Sequence, residues 1–241
     1  MAGETQRPQA GDAVGATTLE RLADAQAFNR WMFERIAPWI GERVLEVGSG
    51  IGNISRFLVG RPCVVLTDTE PTYRRQLADR FAATSGVRVA ALTLPDVPPD
   101  LADQRFDTIV CLNVLEHIEH DRAALVAMRG LLAPGGRLVL LVPALPALYG
   151  TLDESLGHYR RYTRPLLRER YAECGLTLRR LEYFNLVGIP GWWLVGRVLR
   201  RPLIPTGSLK VYNWLVPLAR LERLVPWRIG QSLIAIGERA A

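Results

Sequence analysis

The segment Gly48-Ser-Gly-Ile-Gly52 could press backbone amides against a ligand. Glycine has no Cβ to hold a ligand off, and a helix opening after such a turn leaves its first N–H groups free to donate. The spacing is G-x-G-x-G, one residue short of the G-x-G-x-x-G of dinucleotide sites. Two carboxylates accompany the turn. Glu46 stands two residues before the first glycine, and Asp68 follows about 20 residues on, where a carboxylate can accept both hydroxyls of a ribose. Glu70 competes for that role.

Proton transfer near neutral pH points to histidine. The chain has three: His117, His120 and His158. His117 follows the apolar run Phe106–Leu112, where a parallel sheet would present its ligand edge. His120 lies between Glu119 and Asp121 and reads as solvated. His158 belongs to the polar and aromatic segment Leu148–Thr163, with Tyr149, Asp153, Tyr159, Arg160, Arg161 and Tyr162. One reading makes this segment the acceptor contact, with His158 and Tyr149 beside the reacting atoms and an arginine holding an anionic group. The other makes it a loop latched by salt bridges.

The elements that must position these groups alternate. A helical pattern covers Thr18–Ala37, with Leu19, Leu22, Phe28, Trp31, Met32 and Ile36 on one face. Strands are expected at Arg43–Val47, Cys63–Thr67, Val87–Leu94, Phe106–Leu112 and Leu138–Val142, with helices at Asn53–Val59, Tyr73–Ala83 and Asp121–Leu132 between them. Apolar strands alternating with helices predict a parallel sheet covered on both faces. Pro143 stops the fifth strand. A helix follows at Arg164–Cys174, then strands at Leu176–Tyr183 and Ser232–Gly237.

At this point the residues resemble a known family. Val44-Leu-Glu-Val-Gly-Ser-Gly-Ile-Gly-Asn53, Leu66-Thr-Asp-Thr-Glu-Pro71, Phe106–Ile118 and Leu131-Leu-Ala-Pro-Gly-Gly-Arg-Leu138 are similar, in order and spacing, to the motifs of class I S-adenosylmethionine-dependent methyltransferases. The Leu115-Glu-His117 trio resembles the ubiquinone-biosynthesis type that acts on small molecules. The resemblance implies an α/β, doubly wound, seven-stranded and mostly parallel Rossmann-like sheet with a reversed last strand. It implies S-adenosylmethionine as cofactor, with Gly48, Ser49, Gly50 and Gly52 around its methionine part and Asp68 and Thr69 at the ribose. Leu94 would border the adenine, Asn113 and Val114 would lie beside the methionine part, and Glu46 would be among the cofactor-binding residues. Some of these relatives bind a metal through an acidic residue three before the Glu-His pair. Asn113 stands there, so no metal is expected.

Composition bounds the rest. In 241 residues, 49% apolar and 22% charged, one folded α/β unit fits, and disordered or fibrous classes do not. Cys63, Cys111 and Cys174 are too scattered for a disulfide framework, so reduced thiols and a cytoplasmic location are expected. Residues 1–16 read as a flexible tail without a signal-peptide pattern, and 17–241 as one methyltransferase domain. Its core would be 43–183 and 231–237, with an aromatic-rich insertion at 184–230 before the last strand.

The insertion carries Phe184, Trp192, Trp193, Tyr212, Trp214 and Trp227. It could roof an acceptor pocket through Trp192 and Trp193, pair two copies of the chain, or touch a membrane surface; monomer and homodimer stay open. Tyr159–Arg228 carries a net +10 and the remainder −4, which fits an anionic partner, although 29 of 30 basic residues are arginine. The expected activity is methyl transfer to a small apolar or aromatic acceptor, with an anionic one left open, in bacterial specialised metabolism. Oxygen is the first choice of acceptor atom, then nitrogen or carbon. Nucleic-acid methylation is disfavoured, because Asn113-Val-Leu-Glu lacks the prolines of base amino-methylating enzymes. A non-catalytic cofactor binder is the third alternative.

Overall fold

The computed structural model describes residues 10–203, 206–224 and 228–240. In chain order the elements are α1 (Ala10–Asp24), α2 (Gln26–Ile36), β1 (Arg43–Val47), α3 (Ser55–Leu58), β2 (Cys63–Asp68), α4 (Pro71–Phe81), β3 (Val87–Ala91), α5 (Pro99–Ala102) and β4 (Phe106–Leu112). They continue with α6 (Asp121–Leu131), β5 (Leu132–Pro143), α7 (Thr151–Ser155), α8 (Arg164–Glu173), β6 (Leu176–Phe184), α9 (Gly188–Trp193), α10 (Thr206–Ala219) and β7 (Ser232–Arg239).

The strands form one sheet in the order β3-β2-β1-β4-β5-β7-β6. β1 through β5 pair in parallel, and β7 runs antiparallel to both β5 and β6. This is the seven-stranded arrangement with a reversed last strand that the motifs implied. Successive side chains of a strand point to opposite faces, so a sheet covered twice needs continuous apolar runs. Leu45, Ile109 and Leu140 pack on one face with Leu125, Met128 and Tyr171 from α6 and α8. Their neighbours Val44, Val110 and Val139 pack on the other with Trp31, Ile36 and Leu77 from α2 and α4.

The expected helix over Thr18–Ala37 is two helices, broken at the buried Ala25. The Asn29 side-chain amide donates to Leu22 O at 2.8 Å and closes the junction. The freed N–H groups of Ala27 and Phe28 donate to Asn213 Oδ1 of α10, at 2.9 and 3.3 Å. A cap supplied from 186 residues away leaves no local signal. α1 begins at Ala10, inside the segment expected as a tail, and residues 1–9 lie outside the described residues.

The 184–230 segment leaves β6, forms α9 and α10, and returns to β7. Tyr212 packs edge-on to Phe28, with ring centroids 5.4 Å apart, and donates its hydroxyl to Asn185 Oδ1. Trp227 lies outside the described residues. No helix among the described residues is long and apolar enough to cross a membrane.

Gly237 of β7 tests the packing of α8 on the sheet. A Cβ there would lie 2.2 Å from Cε1 of the fully buried Tyr171, whose hydroxyl donates to Ala235 O at 3.1 Å. Gly237→Ala should therefore cost roughly 1–3 kcal/mol through overpacking. Thermal denaturation would read this as a lower Tm, and an unchanged Tm would contradict the packing.

Candidate active site

β1 delivers the chain into a turn in which Gly48, Gly50 and Gly52 all have positive φ, at 70°, 53° and 82°. L-residues rarely adopt that region. A Cβ on Gly48 would also lie 2.4 Å from Val114 Cγ2, so the turn and the loop after β4 are in contact. Asp68, buried at the end of β2, accepts from Gly50 N at 2.8 Å through Oδ2 and from Glu70 N at 2.9 Å through Oδ1. A carboxylate has about four acceptor positions, so capacity for two hydroxyls remains. Ser49 N is tied to Thr67 O at 2.8 Å. Thr69 and Glu70 are exposed, and Leu94 is buried beyond β3.

Beneath the turn, the buried Glu46 accepts from the Ser55 hydroxyl. Desolvation raises its pKa to about 7 against the opposing pull of the Ser55 and Ser49 hydroxyls. The helix expected over Asn53–Val59 is only the single turn Ser55–Leu58, so the inward-facing amides belong mostly to the glycine turn. Helix α1 crosses this turn. Leu19 O accepts from the Asn53 side chain at 3.1 Å, and the Leu19 δ-carbons stand 3.2 and 3.3 Å from where a Gly50 Cβ would be.

The second half of the site centres on Asp153, whose side chain is wholly buried. His158 Nδ1 and Arg161 Nε each lie 2.8 Å from Asp153 Oδ1. Trp192 Nε1 donates to Oδ2 at 3.2 Å, and the Trp192 ring lies under the Arg161 guanidinium, 4.8 Å from its centroid. Burial would raise the Asp153 carboxyl, but the contacts with His158 and Arg161 outweigh it and hold the group below the usual carboxylate range. Tyr149 donates its hydroxyl to His158 O at 2.7 Å.

A short loop joins the two halves. Asn113 takes a left-handed conformation with φ 54°, and the next residue, Val114, lies against Gly48 of the glycine turn. Three residues further on, His117 meets His158 edge-on with ring centroids 4.7 Å apart, and Glu116 O accepts from Tyr159 N at 2.8 Å. Desolvation, then the neighbouring His158, lower the pKa of His117 to about 4, so its ring is neutral at pH 7 although one side opens to solvent.

Glu116 is the residue that sequence reading passed over. Its carboxyl is buried, its Oε2 has no hydrogen-bond partner, and desolvation raises its pKa to about 8. Its one signal was its place beside His117. Glu116, His117 and His158 also bring one ligand atom each within 4.8 Å of one another, a set able to hold a cation.

Several expected acceptor contacts are elsewhere. Tyr162 is fully buried, its hydroxyl donating to Asp121 Oδ2 at 3.1 Å, because its amide is bound to Pro143 O and fixes the ring inward. Arg160 pairs with Asp121 at 3.0 Å and donates to Glu119 O, so it latches the segment. Tyr159 and Trp193 are half exposed, unlike Trp192. The arginine at the centre is Arg161, whose Nη2 is buried without a partner.

Glu116 yields a stability prediction. The folded carboxyl keeps its proton up to about pH 8, whereas the unfolded one releases it near 4.5. Stability through this residue therefore falls as pH rises between those values. Glu116→Gln mimics the protonated acid, so its Tm relative to wild type should climb from pH 5 to pH 8. A difference independent of pH would contradict the assignment.

Comparison with known proteins finds methyltransferases similar to this chain. Residues 45–138 match a family described as a methyltransferase domain. The chain is 32% identical over 108 residues to a highly reducing polyketide synthase of Strobilurus tenacellus, covering 41% of this chain and 4% of that protein. It is 30% identical over 171 residues to the tRNA U34 carboxymethyltransferase of Citrifermentans bemidjiense, covering 68% and 52% respectively. The chain thus spans about half the length, or less, of these curated relatives. The N-methyltransferase NodS of Bradyrhizobium japonicum, solved with S-adenosylhomocysteine, shares the fold at a TM-score of 0.57 and 17% identity, over 88% of this chain and 85% of that one. Over residues 45–138 the chain is thus similar to methyltransferase domains, and its seven-stranded fold is the one that this solved methyltransferase shares.

Proposed function

We propose that the chain transfers the methyl group of S-adenosylmethionine to an oxygen of a small apolar or aromatic acceptor, and that the His158–Asp153 pair removes the acceptor's proton. The observation that carries this reading is the buried 2.8 Å contact between His158 Nδ1 and Asp153, on a segment that meets the same loop as the glycine turn.

Bound there, the cofactor supplies a methyl group already activated on a sulfonium. The Gly48–Gly52 amides and Asp68 hold it, with Glu46 bracing the turn from below. Thr69 and Leu94 would line the nucleoside side, and Ser49, Asn113 and Val114 would wall the methionine side. Nδ1 of His158 is engaged by Asp153, so Nε2 is the nitrogen left to take a proton. His158 Nε2 would take the acceptor's hydroxyl proton as that oxygen receives the methyl group the cofactor would supply, and Asp153 would stabilise the resulting imidazolium. Arg161 keeps Asp153 ionised throughout. Tyr149 holds the His158 backbone, the neutral His117 flanks the acceptor, and Trp192 roofs it.

Cofactor labelled in its methyl group, incubated with phenols, amines and activated carbon acids, tests the acceptor atom. Label in an ether product supports the proposal, whereas label only in N-methyl or C-methyl products moves the acceptor atom. The similarity to tRNA U34 carboxymethyltransferases favours a second reading, an RNA acceptor, which label recovered in tRNA would support.

A further inference from the structure

Between Glu182 and Glu222 the sequence has no acidic residue, yet it holds Arg197, Arg200, Arg201, Lys210 and Arg220. Both flanking carboxylates are engaged. Glu182 pairs with Arg35 and Arg180, and Glu222 accepts from the amides of Asn185 and Leu186. This stretch also exposes large apolar side chains. Trp193, Leu194, Val198 and Leu199 are each about half exposed in consecutive turns, interleaved with the exposed Arg197, Arg200 and Arg201. On α10 and the turn after it, Trp214, Leu218 and Leu221 recur at helical spacing, and Trp214 is 79% exposed. Exposed apolar surface of this kind marks an interaction site rather than ordinary scatter.

The opposite sides of the same elements are occupied. Gly196 O accepts from the Thr151 hydroxyl at 3.0 Å, Pro202 O accepts from the Ser155 hydroxyl at 2.7 Å, and Val216 and Ala219 are buried against α2. The exposed apolar side chains are therefore held outward on seated backbone.

We propose that the 193–201 surface rests on an anionic lipid bilayer, with Trp193, Leu194 and Leu199 entering the headgroup boundary and Arg200 and Arg201 meeting lipid phosphates. Tryptophan is favoured at that boundary, and apolar side chains interleaved with arginine and free of acid form the pattern of a helix lying in the interface plane. The attachment is peripheral, since no described helix can span. Arg220 is paired with Glu34 of α2 at 3.0 Å, but every charged residue from 193 to 201 is arginine, and arginine beside tryptophan complements a negatively charged apolar boundary, where a protein partner would be expected to meet some acidic residues. This inference stands apart from the choice of acceptor, because attachment is read without turnover.

Cosedimentation of the full chain with vesicles tests it. Binding to phosphatidylcholine vesicles with about one third phosphatidylglycerol should exceed binding to pure phosphatidylcholine by about tenfold or more, and weaken with salt. Tryptophan emission should shift to the blue on binding. Arg200→Glu with Arg201→Glu should lose about tenfold or more in affinity. Trp193→Ser with Leu194→Ser should lose binding with an unchanged melting profile. Absence of binding to both vesicle types, equal binding to both, or a lipid-free dimer that already shields these tryptophans would overturn the proposal.

Discussion

Replacing Asp68 with alanine is expected to weaken S-adenosylhomocysteine binding by about 100-fold or more. A hydrogen bond to a charged group contributes roughly 1.5–3 kcal/mol, and about 1.4 kcal/mol is a factor of ten. Two hydroxyl contacts therefore account for the loss. The same change removes the acceptor of the Gly50 and Glu70 amides and loosens the turn itself. Gly48→Ala should produce a comparable loss by a different route, since the new Cβ meets Val114 and the positive φ disfavours any L-residue. Titration calorimetry reads both variants, and affinities equal to wild type would remove the carboxylate and the turn from the cofactor site.

His158→Ala should lower turnover by about 10²–10⁴-fold, the usual range for a general base, while leaving S-adenosylhomocysteine affinity within about threefold. Asp153→Asn should lower turnover as well, and it should also destabilise the fold. The Arg161 side chain is as buried as that of Asp153, and removing one partner of a buried pair costs roughly 3–5 kcal/mol. The linked pH dependence has a definite sign. The folded Asp153 carboxyl lies below its usual range, so its contribution is complete at neutral pH and is lost as pH falls through the folded value. Acid unfolding should be shallower in Asp153→Asn than in wild type. If His158→Ala keeps full turnover with every acceptor that wild type methylates, the proton leaves by another route.

The parallel half of the sheet was legible because its information is local. Val44–Val47, Val64–Leu66 and Leu138–Val142 are apolar on every residue but Glu46, and a strand buried on both faces has to be. The glycine turn and Asp68 were legible for a similar reason, since backbone approach and a strand-end carboxylate leave fixed residue types behind. What escaped depends on partners distant in sequence. Tyr162 and Arg160 looked like acceptor contacts until Asp121, about 40 residues earlier, drew both of them. Asp153, His158 and Arg161 were visible as a cluster, but only the fold made Asp153 its centre. Glu116 reads as one acid in a polar loop, and its raised pKa comes from burial that no periodicity encodes. Helix α1 was cut short because the residues from Ala10 to Ala16 are small and two of them are glycine, and its position over the glycine turn depends on the Leu19–Asn53 contact.

The central claim is spatial: one loop, residues 113–117, would meet the cofactor's methionine side at one end through Val114 and, at the other, the proton acceptor His158 through His117. A crystal structure of the chain with S-adenosylhomocysteine tests it most directly. The account predicts the ribose hydroxyls on Asp68, the homocysteine chain over Gly48–Gly52, and the sulfur facing His158 across a gap wide enough for an acceptor. A nucleoside bound away from Asp68, or a sulfur turned from His158 with the Asp153 contact intact, would contradict it.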